Sequence, residues 1–447
     1  MPFREPLAFI NVMDLRNLVT QCMVMKDAIW MDASNRSWHV ITRYSTNSQM
    51  GVDVRDILYY AVDPHNTDHF YAASYGRGVI EYQGGKAIMN YSLDNSTLRS
   101  ALEPTLSNAY KYVRTDGVYL DKNRNLWVVN TGGFTCPLHV MSPDGHWYPL
   151  PLKIDGTQLE LTTPSYIIQD NQHPERKWIL EQRGGLGVIL FDDGGTPYQS
   201  NDDRTIKRHI FIDQNGKAII PEVLYSFAQD HNGDVWVGYE EGIFIIPAVT
   251  DLFTTDQCKR VIIPREDGTG LADYLLGTEQ VQCIAVDGAN RKWIGTASSG
   301  VYLVSEDGLE ELAHFTAENS PLLSNEITSI AILDKTGEVF IGTGKGLISY
   351  RGDASQPRED YSDTYAYPNP VRPDYFGPIT ICGLMDNSIV NIIDAGGNLV
   401  CKTYANGGTA IWDGHDQRGH RAAAGVYTVL CNTADGQNHQ IVKILIL

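Results

Sequence analysis

The sequence predicts an all-β chain: a seven-bladed β-propeller followed by a small β-sandwich. Three observations predict it. A strand–turn–strand unit ending in an aromatic-led strand recurs through the first 350 or so residues at propeller spacing. Gly and aromatic residues are abundant, with 41 Gly, 24 Tyr and 8 Trp, as turn-rich sheets require. The last 80 or so residues break into short alternating runs at a different spacing.

The repeat is visible in residues 223–246 (VLYSFAQDHNGDVWVGYEEGIFII), 281–304 and 327–350. Each reads as an alternating strand, an Asp turn, an aromatic-led strand, a Gly turn and a third strand. Asp precedes the aromatic by six residues in Asp32/Trp38, Asp121/Trp127, Asp230/Trp236, Asp287/Trp293 and Asp334/Phe340. Asp63/Phe70 and Asp170/Trp178 are copies with longer turns. From residue 38 to residue 340 there are six steps, a mean period of about 50 residues, the size of a four-stranded blade. A lone four-stranded sheet leaves an apolar face bare. Stacked sheets cover one another, and each aromatic would wedge between neighbours, burying about 150–250 Å². Outer strands are expected in KAIMNYSL, WYPLPL, TIKRHIFI, RVIIP and LEELAHFT. An N-terminal strand within Leu7–Val12 is expected to supply the last blade's outer edge.

The propeller is assigned to residues 1–352. Residues 353–364, polar and aperiodic, read as a linker. Residues 365–447 read as the sandwich: YAYPNPV, then ITICG, IVNIID, LVCKTY, GVYTVLCN and QIVKILIL, separated by Asp/Asn–Gly turns.

Composition narrows function. A formal net charge of −19 repels a phosphate backbone, which excludes nucleic acid and a polybasic membrane anchor. No run reaches the ~18 apolar residues of a membrane span, and the start lacks a charged-then-apolar leader. Seven Cys without CxxC spacing do not read as a zinc site or a dense disulfide framework, although a Cys401–Cys431 or Cys382–Cys401 bridge is open.

No catalytic, metal or cofactor constellation emerges. Gly342–Gly346 lacks the Ser/Thr that a P-loop needs after its Lys and joins two strands. Asp230–Asp234 and Asp213–Gly216 resemble calcium-loop fragments but read as hairpin turns. His65 and His69 lie in a turn leading into a strand, not on a helix face, and no GxSxG elbow occurs. Arg351-Gly352-Asp353 is an incidental tripeptide. The candidate ligand-binding positions are the turns between second and third strands: Tyr75, Arg77, Phe134, Arg183, Glu240, Glu241, Ser298 and Lys345. Such turns share one end of a propeller, and their Arg, Tyr and Phe suit a glycan or protein partner.

The repeat in Val281–Leu303 and Ile327–Ile348 resembles the two-component-regulator propeller repeat. The tail Ala410–Val429 (AIWDGHDQRGHRAAAGVYTV), following YPNPV, resembles the immunoglobulin-like domain of flagellar-hook capping proteins and type IX secretion C-terminal domains. Together they resemble the PorZ-like surface components of type IX secretion. That resemblance implies an immunoglobulin-like docking module, an extracytoplasmic place at the surface or in the periplasm of a Gram-negative bacterium, and a non-enzymatic binding or scaffolding role. Implied partners are type IX secretion components or a surface lipopolysaccharide or other glycan. The family carries two propellers, so this sequence reads as the C-terminal part of a longer protein. An alternative reading is the oligosaccharide-sensing propeller of a hybrid two-component regulator.

Overall fold

A computed structural model describes residues 10–12, 27–32, 37–41, 43–54, 57–63, 65–103, 105–132, 136–162, 164–182, 184–265, 272–334 and 336–447. The chain is all-β. Its helical content among these residues is one α-helix, Arg43–Met50, and one 3₁₀ turn, Ala109–Lys111.

Among the described residues, seven antiparallel sheets of three or four strands follow one another along residues 10–351, with three two-stranded hairpins between them. The second runs Ile57–Asp63, Asn66–Ser74, Gly78–Gln83, Lys86–Tyr91. The third runs Arg114–Leu120, Leu126–Thr131, Leu138–Met141, Trp147–Leu150. The fourth is Pro164–Gln169, Arg176–Glu181, Gly187–Asp192, Arg204–Arg208, and the sixth is Val281–Val286, Lys292–Thr296, Val301–Val304, Glu311–Phe315. The fifth (Leu224–Gln229, Val235–Tyr239, Gly242–Ile246) and seventh (Ile327–Leu333, Glu338–Thr343, Gly346–Arg351) have three strands each among the described residues.

Consecutive sheets pack through shared cores. Trp127, Val129 and Val140 of the third meet Ile167, Ile179 and Phe191 of the fourth. Trp178 and Leu190 meet Leu224 and Val237 of the fifth, and Trp236 meets Val281 and Ile294 of the sixth. Trp293 and Val301 meet Ile327 and Val339 of the seventh. Six of the seven repeated aromatics (Phe70, Trp127, Trp178, Trp236, Trp293, Phe340) are at most 5% exposed. The seventh, Trp38, lies on strand Ser37–Ile41, and its side chain is outside the described residues.

Four of the repeat Asp residues do more than turn the chain. In Asp121, Asp170, Asp230 and Asp287 one carboxylate oxygen accepts backbone N–H groups of its own turn. The other accepts the indole N–H of Trp127, Trp178, Trp236 or Trp293 at 2.9–3.1 Å. The spacing noted in the sequence therefore fixes the wedge's rotamer as well as the hairpin. The opening strands of the second to seventh sheets share another device. Each carries a register shift near its start, at Ile57/Tyr59, Thr115/Gly117, Pro164/Tyr166, Leu224/Ser226, Val281/Cys283 and Ile327/Ser329. A bulge at one fixed place bends every opening strand alike. Rings from three of them meet: Tyr166 lies 4.7 Å from Tyr59 and 5.9 Å from Phe227.

Two strand expectations are corrected. Ile10–Val12 pairs with Asp27–Asp32 in the first sheet, not with the outer strand of the seventh, although it lies against Ile327–Leu333. Leu7 is outside the described residues. RVIIP does not extend the fifth sheet: Ile262–Pro264 pairs with Ala272–Tyr274 in a separate hairpin. Among the described residues, Lys259 reaches the fifth sheet's edge through a bridge to Ile245. The other four expected outer strands form as read.

Residues 365–447 form two sheets over one core. Tyr365–Tyr367, Ile379–Cys382 and Thr409–Trp412 make the first. The second is ordered Leu399–Tyr404, Ile389–Ile393, Gly425–Asn432, His439–Ile446. Ile381 and Trp412 of one face Val390, Ile392, Val429 and Ile444 of the other. Asn369 of YPNP bonds the last strand twice, donating to the Lys443 carbonyl and accepting from Leu445 N–H. Neither anticipated disulfide forms, and Cys382, Cys401 and Cys431 are free thiols. Cys401 and Cys431 flank the same strand on opposite sides, pairing Ile392 and Val390, about two strand spacings apart and beyond disulfide reach. Cys382 belongs to the other sheet.

Candidate functional site

The predicted turn residues separate into distinct neighbourhoods. Phe134 and Arg183 lie outside the described residues. Ser298 and Lys345 are exposed, and among the described residues no hydrogen bond or ion pair ties either side chain to the other turns. Gly342–Gly346 is the hairpin turn expected of it.

Tyr75 and Arg77, on the turn between Asn66–Ser74 and Gly78–Gln83, join a cation–aromatic cluster that the sequence did not reveal. Arg77 stacks 4.6 Å from the Tyr110 ring and donates to the Asp53 carbonyl. Arg114 sits 4.7 Å from the Tyr75 ring and 5.7 Å from Tyr112. Asp116, at the bulge of the same strand as Arg114, is buried with one carboxylate oxygen unpartnered. Burial drives its pKa well above the carboxylate range, against the pull of Arg114.

Glu240 and Glu241 border a pocket of about 270 Å³ that also involves Lys217, Ile220, Tyr239 and Arg260. The Glu240 carboxylate accepts the N–H groups of Glu222 and Val223 at 2.6 and 3.2 Å, and so builds the turn. The Glu241 carbonyl accepts from Arg260 at 3.1 Å. Burial pushes the Tyr239 hydroxyl up to about 12, so it stays protonated at neutral pH.

A larger cleft of about 480 Å³ lies at the Asp turns of the fifth and sixth sheets, lined by Asp230, Asp234, Lys259, Glu306, Asp307 and Glu310 among others. Its carboxylates are largely engaged. Asp230 holds Trp236, Asp234 pairs with Lys259 at 2.7 Å, and Glu306 accepts from Asn232 and Asn290. Those two amides hold Glu306 below its ordinary pKa. The calcium-like loop Asp230–Asp234 is thus spent on structure. His69, which the sequence paired with His65, bridges Asp63 and Glu81 instead, at 3.3 and 2.7 Å. The Glu81 bond raises its pKa despite burial. Among the described residues, no group of three or more His, Cys, Asp or Glu is arranged to hold a metal ion. No helix among them is long and apolar enough to cross a membrane.

No family model and no curated protein sequence matches the chain. Solved structures do. PorZ, an essential surface component of the type-IX secretion system of Porphyromonas gingivalis, aligns over 99% of this chain with 28% identity and a TM-score of 0.69. The chain spans 58% of that structure's length. The extracellular domain of a hybrid two-component system from B. thetaiotaomicron aligns over 98% of this chain and 64% of its own, at 13% identity and TM-score 0.37. YCF48 from Cyanidioschyzon merolae aligns over 78% and 97%, at 12% identity and TM-score 0.47. In fold the chain is PorZ-like, as its repeats and its YPNP and WDG motifs indicated.

Proposed function

We propose that the chain is a non-enzymatic binding or scaffolding protein of the type IX secretion apparatus, outside the cytoplasm at the cell surface or in the periplasm. Residues 1–352 form a seven-bladed propeller that serves as the platform for a protein or glycan partner. Residues 365–447 form an immunoglobulin-like module that docks the chain, with 353–364 between them. One observation carries this reading: the alignment to PorZ runs through almost the whole chain, platform and C-terminal module together. The site geometry supports it. The described turns carry aromatic and cationic side chains, which suit recognition of a partner.

The test is removal of residues 365–447 from the protein expressed in its own bacterium. Surface recruitment is expected to be lost while the remaining sheets keep their unfolding transition. Unchanged localisation after that deletion overturns the docking role.

A further inference from the structure

In a chain of net charge −19, one buried arginine has no carboxylate paired with it among the described residues. Arg260 is 6% exposed. Its guanidinium lies 3.6 Å from the Tyr274 ring centre and 5.9 Å from that of Tyr239. Nη2 donates to the Glu241 carbonyl at 3.1 Å, while Nε is buried with no acceptor. Two carboxylates of this neighbourhood are occupied. Asp213 accepts the N–H groups of Asn215 and Lys217 and the Tyr274 hydroxyl, and Glu240 accepts those of Glu222 and Val223. Among the described residues Arg260 forms no ion pair. A guanidinium withdrawn from water is normally compensated by an anion, and among the described residues none is paired with it.

The surroundings describe what would fit. Arg260 lines the 270 Å³ pocket, just below the usual size of a small-molecule site and roomy enough for a side chain. Lys217, exposed on the rim with its ammonium 5.7 Å from the Tyr274 ring, adds a second positive charge. Ile220, 64% exposed, puts an apolar surface beside the two cations. Glu222 and Glu241 border the same opening. With the chain's overall charge they repel a polyanion or a dianion more than a single carboxylate. A carboxylate's two oxygens also match the guanidinium fork. We infer that this pocket takes one carboxylate of a protein partner, an Asp or Glu side chain whose apolar neighbour packs on Ile220. The inference deepens the platform reading and rests on it for the partner's being a protein.

The experiment is calorimetric titration of the purified full chain with capped tripeptides, acetyl-Leu-Asp-Leu-amide against acetyl-Leu-Asn-Leu-amide, and with glucuronate and inorganic phosphate. The Asp peptide is expected to bind about tenfold or more tightly than the Asn peptide, since the lost interaction is a charge-assisted pair. Glucuronate and phosphate are expected to bind more weakly than the Asp peptide. Lys217→Gln, at an exposed site, should weaken the Asp peptide several-fold and leave the unfolding transition in place. Arg260→Gln should abolish the preference for Asp over Asn. Equal binding of the two peptides, or native binding by Lys217→Gln, overturns the site. Glucuronate or phosphate binding as tightly as the peptide overturns the assignment to a protein carboxylate. None of these outcomes depends on where the chain resides in the cell, so they are distinguishable from a failure of the secretion reading.

Discussion

The Lys292 ammonium lies 2.9 Å from the Asp230 carboxylate, with both side chains at most 3% exposed, and this ion pair joins the sixth sheet to the fifth. The same carboxylate oxygen accepts the Trp236 indole N–H, and the ammonium sits 4.6 Å from that indole ring. Lys292 also donates to the carbonyls of Asn290 and Glu306. A buried charge so placed is costly to strand. Asp230→Ala is expected to destabilise the chain by about 3–5 kcal/mol, the usual cost of breaking a buried pair. Asp230→Asn should cost less, because the amide oxygen still accepts from the indole. Urea unfolding monitored by Trp fluorescence would measure both. Equal losses for the two variants would mean that the charge carries the whole effect and the indole bond contributes nothing.

Trp293 packs against the seventh sheet with its indole fully buried and its ring stacked on Phe315 at 5.9 Å. Trp293→Ala opens a cavity between two sheets and is expected to cost about 3–5 kcal/mol. Trp293→Phe keeps most of the wedge but leaves Asp287 without its indole donor. It should cost less than the Ala variant. A loss below ~1 kcal/mol for Trp293→Ala would mean that the wedge is not what holds the sheets together.

These wedges were legible in the sequence because they rest on local information. A turn needs Asp and Gly, and a period near 50 residues repeats both with the aromatic. The indole bond was within reach of the same pattern, since a six-residue step across a hairpin brings Asp and Trp together. Other features were hidden because they depend on distant segments. The Arg260 pocket joins residues 217, 220, 239–241, 260 and 274, and nothing in the spacing links them. The cluster around Tyr75 needs Tyr110 and Arg114, which a long loop brings back. RVIIP has a strand's composition, but composition does not say which edge a strand will join, and it paired with Ala272–Tyr274.

Asp203 carries the clearest pH signature. Burial raises its pKa to about 7, and the neighbouring carboxylates of Asp193, Asp202 and Asp192 add to the shift. Neither of its carboxylate oxygens has a hydrogen-bond partner. A folded-state pKa above the unfolded value means that the folded chain holds the proton more tightly. Its stabilising effect is complete below about pH 4 and is lost as pH rises through about 7. Asp203→Asn should therefore flatten this part of the stability profile and raise stability at pH 8 relative to the native chain. Unfolding midpoints of both proteins between pH 4 and pH 8 would check this. Parallel profiles would place the pH dependence on another group.

The stretch 353–364 does not hang between the two parts of the chain. The Arg291 guanidinium donates to Asp353 at 2.7 Å and to Asp287 at 2.8 Å, while Asn406 donates to the other Asp353 oxygen at 3.2 Å. Behind them three backbones close up. Gly408 N–H donates to the Ser355 carbonyl, and Ser355 Oγ lies 2.5 Å from Thr409 Oγ1. A Cβ on Gly288 would stand 2.0 Å from the Ser355 carbonyl oxygen, and one on Gly407 would stand 2.3 Å from the same atom. Only glycine lets the sixth sheet's turn, the connecting stretch and the C-terminal module meet this closely. Gly288→Ala must therefore push the three segments apart, and Arg291→Ala leaves Asp353 half-paired. Both variants are expected to speed protease cleavage within residues 353–364 about tenfold or more, the effect of losing roughly 1.4 kcal/mol of docking. The Trp-monitored unfolding of the sheets should move little, because the wedges lie elsewhere. If cleavage within that stretch stays as slow as in the native chain, the seam is not held by the Gly288–Ser355–Gly407 contact, and the docking of the C-terminal module must be sought in other contacts.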